Sequence, residues 1–230
     1  MFYDVLSFCA SCALVLLYYL ILGWQSRRQP DSRVHALNAQ IRVRWVFKVM
    51  SSGKMDILAI QTLRNSLMAA NFMATTAILL IIGILNLTDK IGSWTLESHS
   101  LFLVTKGSVE LWHLKIALLV LNYAAAFYYF AMSIRFFNHV GYMINLGCNM
   151  QTEKVLFQQT CAYLNRAGGY YRYGSRAFFF SFPVIMWFFG PLMLIPATLV
   201  TIAGLALLDK VPQCDLATAD RLVVPDKSIE

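Results

Sequence analysis

The feature that most restricts this chain is where its charges are not. Four long stretches, Val5 to Ser26, Asn65 to Thr88, Ile116 to Ile134 and Ala177 to Leu208, contain no Asp, Glu, Lys or Arg. As a helix rising about 1.5 Å per residue, each can cross a hydrocarbon core about 30 Å thick, and a backbone in lipid must satisfy its own hydrogen bonds. Only 13% of the 230 residues are charged, against about 25% in a soluble domain, so the chain lacks the polar surface of a soluble fold. The expected architecture is all-α and polytopic: a membrane domain over 1–208 with four transmembrane helices at about 5–24, 65–87, 114–134 and 180–207, then a short extracytoplasmic tail, 209–230. At this length no room remains for a separate soluble catalytic module.

The net charge of +7 is concentrated in alternate connections. Arg27 to Arg64 and Arg135 to Arg176 are rich in Arg and Lys, whereas Asp4, the connection from Asp89 to Glu110 and the tail show no basic excess. The positive-inside rule then puts the first and third connections in the cytoplasm and the N-terminus and C-terminus outside, in the inner (cytoplasmic) membrane. Val5 to Ser26 is expected to remain as a span, because Arg27 and Arg28 follow the apolar run rather than precede it. The basic residues alternate with Trp24, Trp45, Tyr170 and Tyr171. That pattern suits anchoring at anionic lipid headgroups rather than nucleic acid.

Both basic connections read as amphipathic cytoplasmic helices. Val34, Leu37, Ile41 and Trp45 recur at helical spacing and end at Ser51, Ser52 and Gly53, after which a helix starting near Asp56 runs into the second span. Val155, Leu156, Gln159, Ala162, Tyr163 and Arg166 make a second pattern, expected to stop at Gly168 and Gly169. The two connections either cap the bundle or lie on lipid. The fourth window carries Pro183, Pro191 and Pro196 with the step Phe189, Gly190, Pro191. One kinked span is expected there, with a broken or re-entrant element as the alternative.

Few polar residues enter the spans. Ser66, Ala70, Ala74 and Ala77 form a small-residue stripe suited to close helix approach, and Asn71 and Asn122 are placed to bond each other near mid-membrane. Arg64, Asn65, Asn71, Asn122, Arg135, Asn138, His139 and Arg166 are the candidates for packing or for a solute path, and Arg135, Asn138 and His139 make a cluster that lipid or quinone chemistry could use. Glu110 and His113 share a helical face, but one such step is half of a carboxylate metal site, so no metal is expected. Cys9 and Cys12 lie inside an apolar span and read as packing residues. No phosphate-binding glycine loop or nucleophile elbow is present, and no cofactor is predicted beyond bound phospholipid.

Three blocks, "ILAIQTLRNSLMAANFMATTAILLIIG", "FAMSIRFFNHVGYMI" and "NRAGGYYRYGSRAFFFSFPVIMWFFGPLMLI", together resemble the DUF599 family of integral membrane proteins over roughly Tyr18 to Leu208. Gln61, Arg64, Asn65, Arg135, Asn138, Asn165, Arg166, Trp187 and Pro191 fall in these blocks. The resemblance implies the membrane topology and assigns no catalytic residue. The expected function is therefore that of an accessory interaction protein, not an enzyme, oligomeric or part of a larger membrane complex. Its partners would be anionic lipid on the cytoplasmic face and a second copy or another membrane protein. The alternatives are a channel or carrier for a small polar or anionic solute, and a membrane enzyme acting on a lipid or quinone.

Overall fold

A computed structural model describes residues 2–28, 34–52, 56–97, 109–146 and 154–210, which are helical almost throughout. The helices are α1 (Phe2–Arg28), α2 (Val34–Ser52), α3 (Asp56–Glu97), α4 (Val109–Met143) with a 3₁₀ turn at Ile144–Leu146, α5 (Lys154–Phe189) and α6 (Pro191–Leu208). Four stretches are long and apolar enough to cross a membrane: Phe2–Trp24, Ile57–Thr88, Glu110–Leu146 and Pro191–Leu208. Their outward surfaces carry Leu16, Leu20, Phe72, Leu79, Ile82 and Leu121, all exposed. Apolar surface on that scale is stable against lipid and not against water, which marks a multi-pass membrane protein.

The expected fourth span, 180–207, is not one helix. Chain direction reverses at Gly190, whose φ of 154° and ψ of 152° lie in a region open essentially to glycine. Pro191 then starts α6, where its missing N–H costs no intrahelical bond. The two arms run antiparallel, so that Arg176 Nη2 on α5 donates to both carboxylate oxygens of Asp209, at 2.8 and 2.5 Å. The fourth window is thus a helical hairpin, the broken form of the two expected.

Helix α1 lies alongside α6 and runs in the same direction. Phe8 stacks on Trp187 at 5.2 Å, the Ser11 and Thr198 hydroxyls bond, and the Tyr18 phenol donates to Asp209 at 2.9 Å. Asp4 and Asp209, expected on one side, consequently lie at opposite ends of the bundle. An even number of crossings had linked them, and the hairpin adds one more pass along the bundle.

Helices α4 and α5 form the central antiparallel pair. Asn122 Nδ2 donates to the Ala177 carbonyl at 2.8 Å, Tyr123 to Ser181 at 3.0 Å and Ser133 to the Ala167 carbonyl at 2.9 Å. Each such bond satisfies a polar group that lipid would leave unpaired. The expected Asn71–Asn122 bond does not form, because Asn122 finds the α5 backbone and Asn71 is exposed. The small stripe packs as expected: Ala70, Ala74 and Ala77 are buried, and Ala74 meets Ala126 and Phe130 of α4.

At one end α3, α4 and α5 enclose a compact core with α2. Val46, Val49 and Met50 pack against Ala59, Leu63, Phe137, Val140, Ile144, Cys161 and Leu164. The connections therefore build a cap. Both helices sit where the pattern placed them, from Val34 and from Lys154, and Trp45, Leu156 and Tyr163 of the two stripes pack against this core, but other positions of each stripe face outward. Leu37, Ile41, Val155, Gln159 and Ala162 are exposed, whereas Val46, Val49, Thr160, Cys161 and Leu164 are buried. Nor does the second helix stop at Gly168 and Gly169, since α5 continues unbroken to Phe189. Two helical glycines cost about 1 kcal/mol each relative to Ala, and the packing of α5 on α4 outweighs that.

Candidate functional site

Where the cap meets the bundle, α2, α3, α4, α5 and α6 leave a cavity of about 750 Å³. Its polar wall is built by three guanidinium groups, Arg42 from α2 and Arg172 and Arg176 from α5, facing one carboxylate, Asp209, just past α6. Arg172 and Arg176 are four residues apart and so share a helical face. Trp45, Phe137, Tyr171, Phe179, Leu205 and Leu208 supply the apolar wall, and Thr62, Asn65 and Ser66 of α3 complete it.

Each arginine is held differently. Arg176 is spent on Asp209, which also accepts from Tyr18, so this trio ties α1, α5 and α6 together at one level. Arg42 donates its Nε to Asn165 Oδ1 at 2.8 Å and lays the rest of its guanidinium against α5 at Gly168, where a Cβ would stand 2.8 Å from Nη1. The bare helix surface at Gly168 is what lets Arg42 reach the cavity. Burial, and then the charge of Arg172, push the Arg42 pKa below its ordinary value, although a guanidinium remains protonated at any physiological pH. Arg172 lies over the Tyr173 ring at 5.2 Å, and its Nε is buried without a partner. Among the described residues neither Arg42 nor Arg172 is ion-paired.

Among the described residues, two guanidinium charges thus have no carboxylate within ion-pair distance in a part-apolar cavity. Buried charges are costly unless paired, so such a surplus is suited to an anion supplied from outside. The forked, planar guanidinium matches the oxygens of phosphate or carboxylate better than an ammonium does.

Of the residues proposed from the sequence for packing or a solute path, only Asn65 lines this cavity. Arg64, Asn71, Arg135, Asn138 and Arg166 are exposed, and His139, also exposed, edges the Tyr163 ring at 5.8 Å. Glu110 and His113 lie exposed in the opening turns of α4, and among the described residues no three His, Cys, Asp or Glu side chains come together. Cys9 and Cys12 are exposed on α1 rather than packed inside. Arg42, Arg172, Arg176 and Asp209 went unselected because their charges were read as topology signals. The usable signal was local: Gly168 and Gly169 followed at helical spacing by Arg172 and Arg176.

No curated protein and no solved structure matches the chain. A family model described as "Protein of unknown function, DUF599" matches residues 6–213, a stretch holding every cavity residue, and the chain belongs to that family.

Proposed function

We propose that this chain is a non-enzymatic integral membrane protein whose work is binding, with an anionic lipid held in the arginine cavity at its cytoplasmic end. The observation that carries this reading is the pair of unpaired guanidinium groups, Arg42 and Arg172, set beside an apolar wall at the base of the bundle. In this reading the chain passes the bilayer five times, through α1, α3, α4, the upper arm of α5 and α6, in the inner membrane. The N-terminus is outside and Asp209 cytoplasmic, so the basic connections and the cavity share the cytoplasmic side. Leu37, Ile41 and Phe47, exposed on α2, rest on the same leaflet.

The accessory role rests on α3, which packs on α4 and leaves Asn71, Thr75 and Asn86 exposed along an apolar helix. Amide groups facing lipid favour a second copy or another membrane protein as neighbour. The solute-path reading has less support, since neither Asn71 nor Asn122 lines the cavity.

The test is the lipid that accompanies the full chain through purification in mild detergent. Anionic lipid should be enriched over its share of the membrane, and the enrichment should disappear in an Arg42→Gln, Arg172→Gln double variant. Zwitterionic and anionic lipids in membrane proportion would sink the reading.

A further inference from the structure

The cavity carries more than a sign of charge, and its ligand can be narrowed. Among the described residues, three guanidinium groups against one carboxylate leave two positive charges, and the Asp209 carboxylate is occupied by Arg176 and Tyr18. A phosphodiester brings one negative charge and would leave one guanidinium uncompensated in a half-buried site. A phosphomonoester, with a second pKa near 6, brings nearly two at neutral pH and three oxygens able to accept from separate forks. The donors are in place: Arg42 presents its terminal N–H groups over Gly168, and the buried Nε of Arg172 lacks an acceptor.

The remaining space argues for a ligand that is not phosphate alone. A phosphate group fills only a fraction of 750 Å³, and Phe137, Phe179 and Leu205 line the rest. We infer that the cavity selects an amphiphile with a phosphomonoester head, its phosphate between Arg42 and Arg172 and its hydrocarbon against the aromatic wall. This rests on the anionic-lipid reading above and adds the class of headgroup.

Native mass spectrometry of the full chain in detergent, titrated with phosphatidic acid, phosphatidylglycerol and phosphatidylcholine of identical acyl chains and with inorganic phosphate, tests it. Phosphatidic acid should bind at least tenfold more tightly than phosphatidylglycerol, and inorganic phosphate should displace it only at a large excess. In Arg172→Gln the two anionic lipids should become equal. Arg172→Lys, which keeps the charge and protects against loss of the fold, should retain part of the preference. Equal binding of the two anionic lipids by the wild type would overturn this inference and leave the anionic-lipid reading standing. Binding no better than phosphatidylcholine would remove both. Displacement by inorganic phosphate at matching concentration would replace the amphiphile with the free ion, and unchanged preference in both Arg172 variants would place the selectivity elsewhere.

Discussion

The two ends of the bundle handle buried charge in opposite ways. At the end near Gly190, Lys115 sits between the Asp4 carboxylate at 3.5 Å and the Trp187 carbonyl at 3.1 Å, with its ammonium 4.8 Å from the Trp187 ring centre. Among the described residues one cation meets one carboxylate, both side chains are about 7% exposed or less, and the group fastens α1, α4 and α5. At the end near Asp209, among the described residues, three cations meet one carboxylate around an open cavity. Balanced and closed charge is a structural joint. Surplus charge in a cavity, by contrast, is suited to a counter-ion from outside, as the proposed lipid binding requires.

The largest test of that contrast compares one substitution at each end. Lys115→Met removes the cation from a closed group and should destabilise the protein by about 3–5 kcal/mol, the usual cost of breaking a buried pair. Arg172→Met removes a cation from the surplus and should cost less than about 1 kcal/mol, because it relieves repulsion from Arg42. Thermal unfolding of both variants in one detergent measures the difference. Equal losses would mean that the arginines are as structural as the lysine.

Two glycines on α5 sharpen the contrast at intermediate size. A Cβ at Gly174 would lie 2.9 Å from two ring carbons of Phe130, which is fully buried and has nowhere to move. Gly174→Ala should therefore cost about 1–3 kcal/mol through overpacking. At Gly168 the Cβ meets the far end of the Arg42 side chain, which can withdraw. Gly168→Ala should leave stability unchanged or raised by up to about 1 kcal/mol, since Ala favours helix, while retention of anionic lipid falls. Unfolding temperature and copurified lipid are read on the same samples. A stable Gly174→Ala, or a Gly168→Ala that retains its lipid, would break the assignment.

Most of the helical layout was legible because hydropathy acts locally. The gaps between charges located α1, α3 and α4, the start of α3 at Asp56 followed from the break at Ser51 to Gly53, and the alanine stripe on α3 foretold its packing. What escaped depended on partners distant in sequence. Whether Phe189, Gly190 and Pro191 make a kink or a reversal is decided by Asp209 meeting Arg176, 33 residues away. The inward faces of α2 and α5 were legible only in Trp45, Leu156 and Tyr163, because adjacent stripes on one helix both fit a period of 3.6, and only the neighbouring helix selects between them. The cavity was hidden for a related reason: Arg42 and Asn165 are 123 residues apart, and composition reads both as surface. Charge patterning counts arginines by side of the membrane, and it does not register which of them lack an acid.

The smallest effect concerns the joint within the open end. Tyr18 donates to Asp209 and ties α1 to the foot of α6, whereas its neighbour Tyr19 offers Arg176 only a ring face, 5.9 Å from its centre. Tyr18→Phe removes one hydrogen bond to a charged acceptor and should cost about 1–2 kcal/mol, while Tyr19→Phe, which keeps the ring, should cost almost nothing. The Arg176–Asp209 pair survives in both variants, so the difference isolates the phenol. Asp209 freed from Tyr18 also leans more fully on Arg176, which leaves the surplus on Arg42 and Arg172 intact. Lipid retention should therefore hold in Tyr18→Phe even as the unfolding temperature drops. If retention falls with stability, α1 shapes the cavity as well as closing the bundle, and the division between joint and site runs through Asp209 rather than beside it.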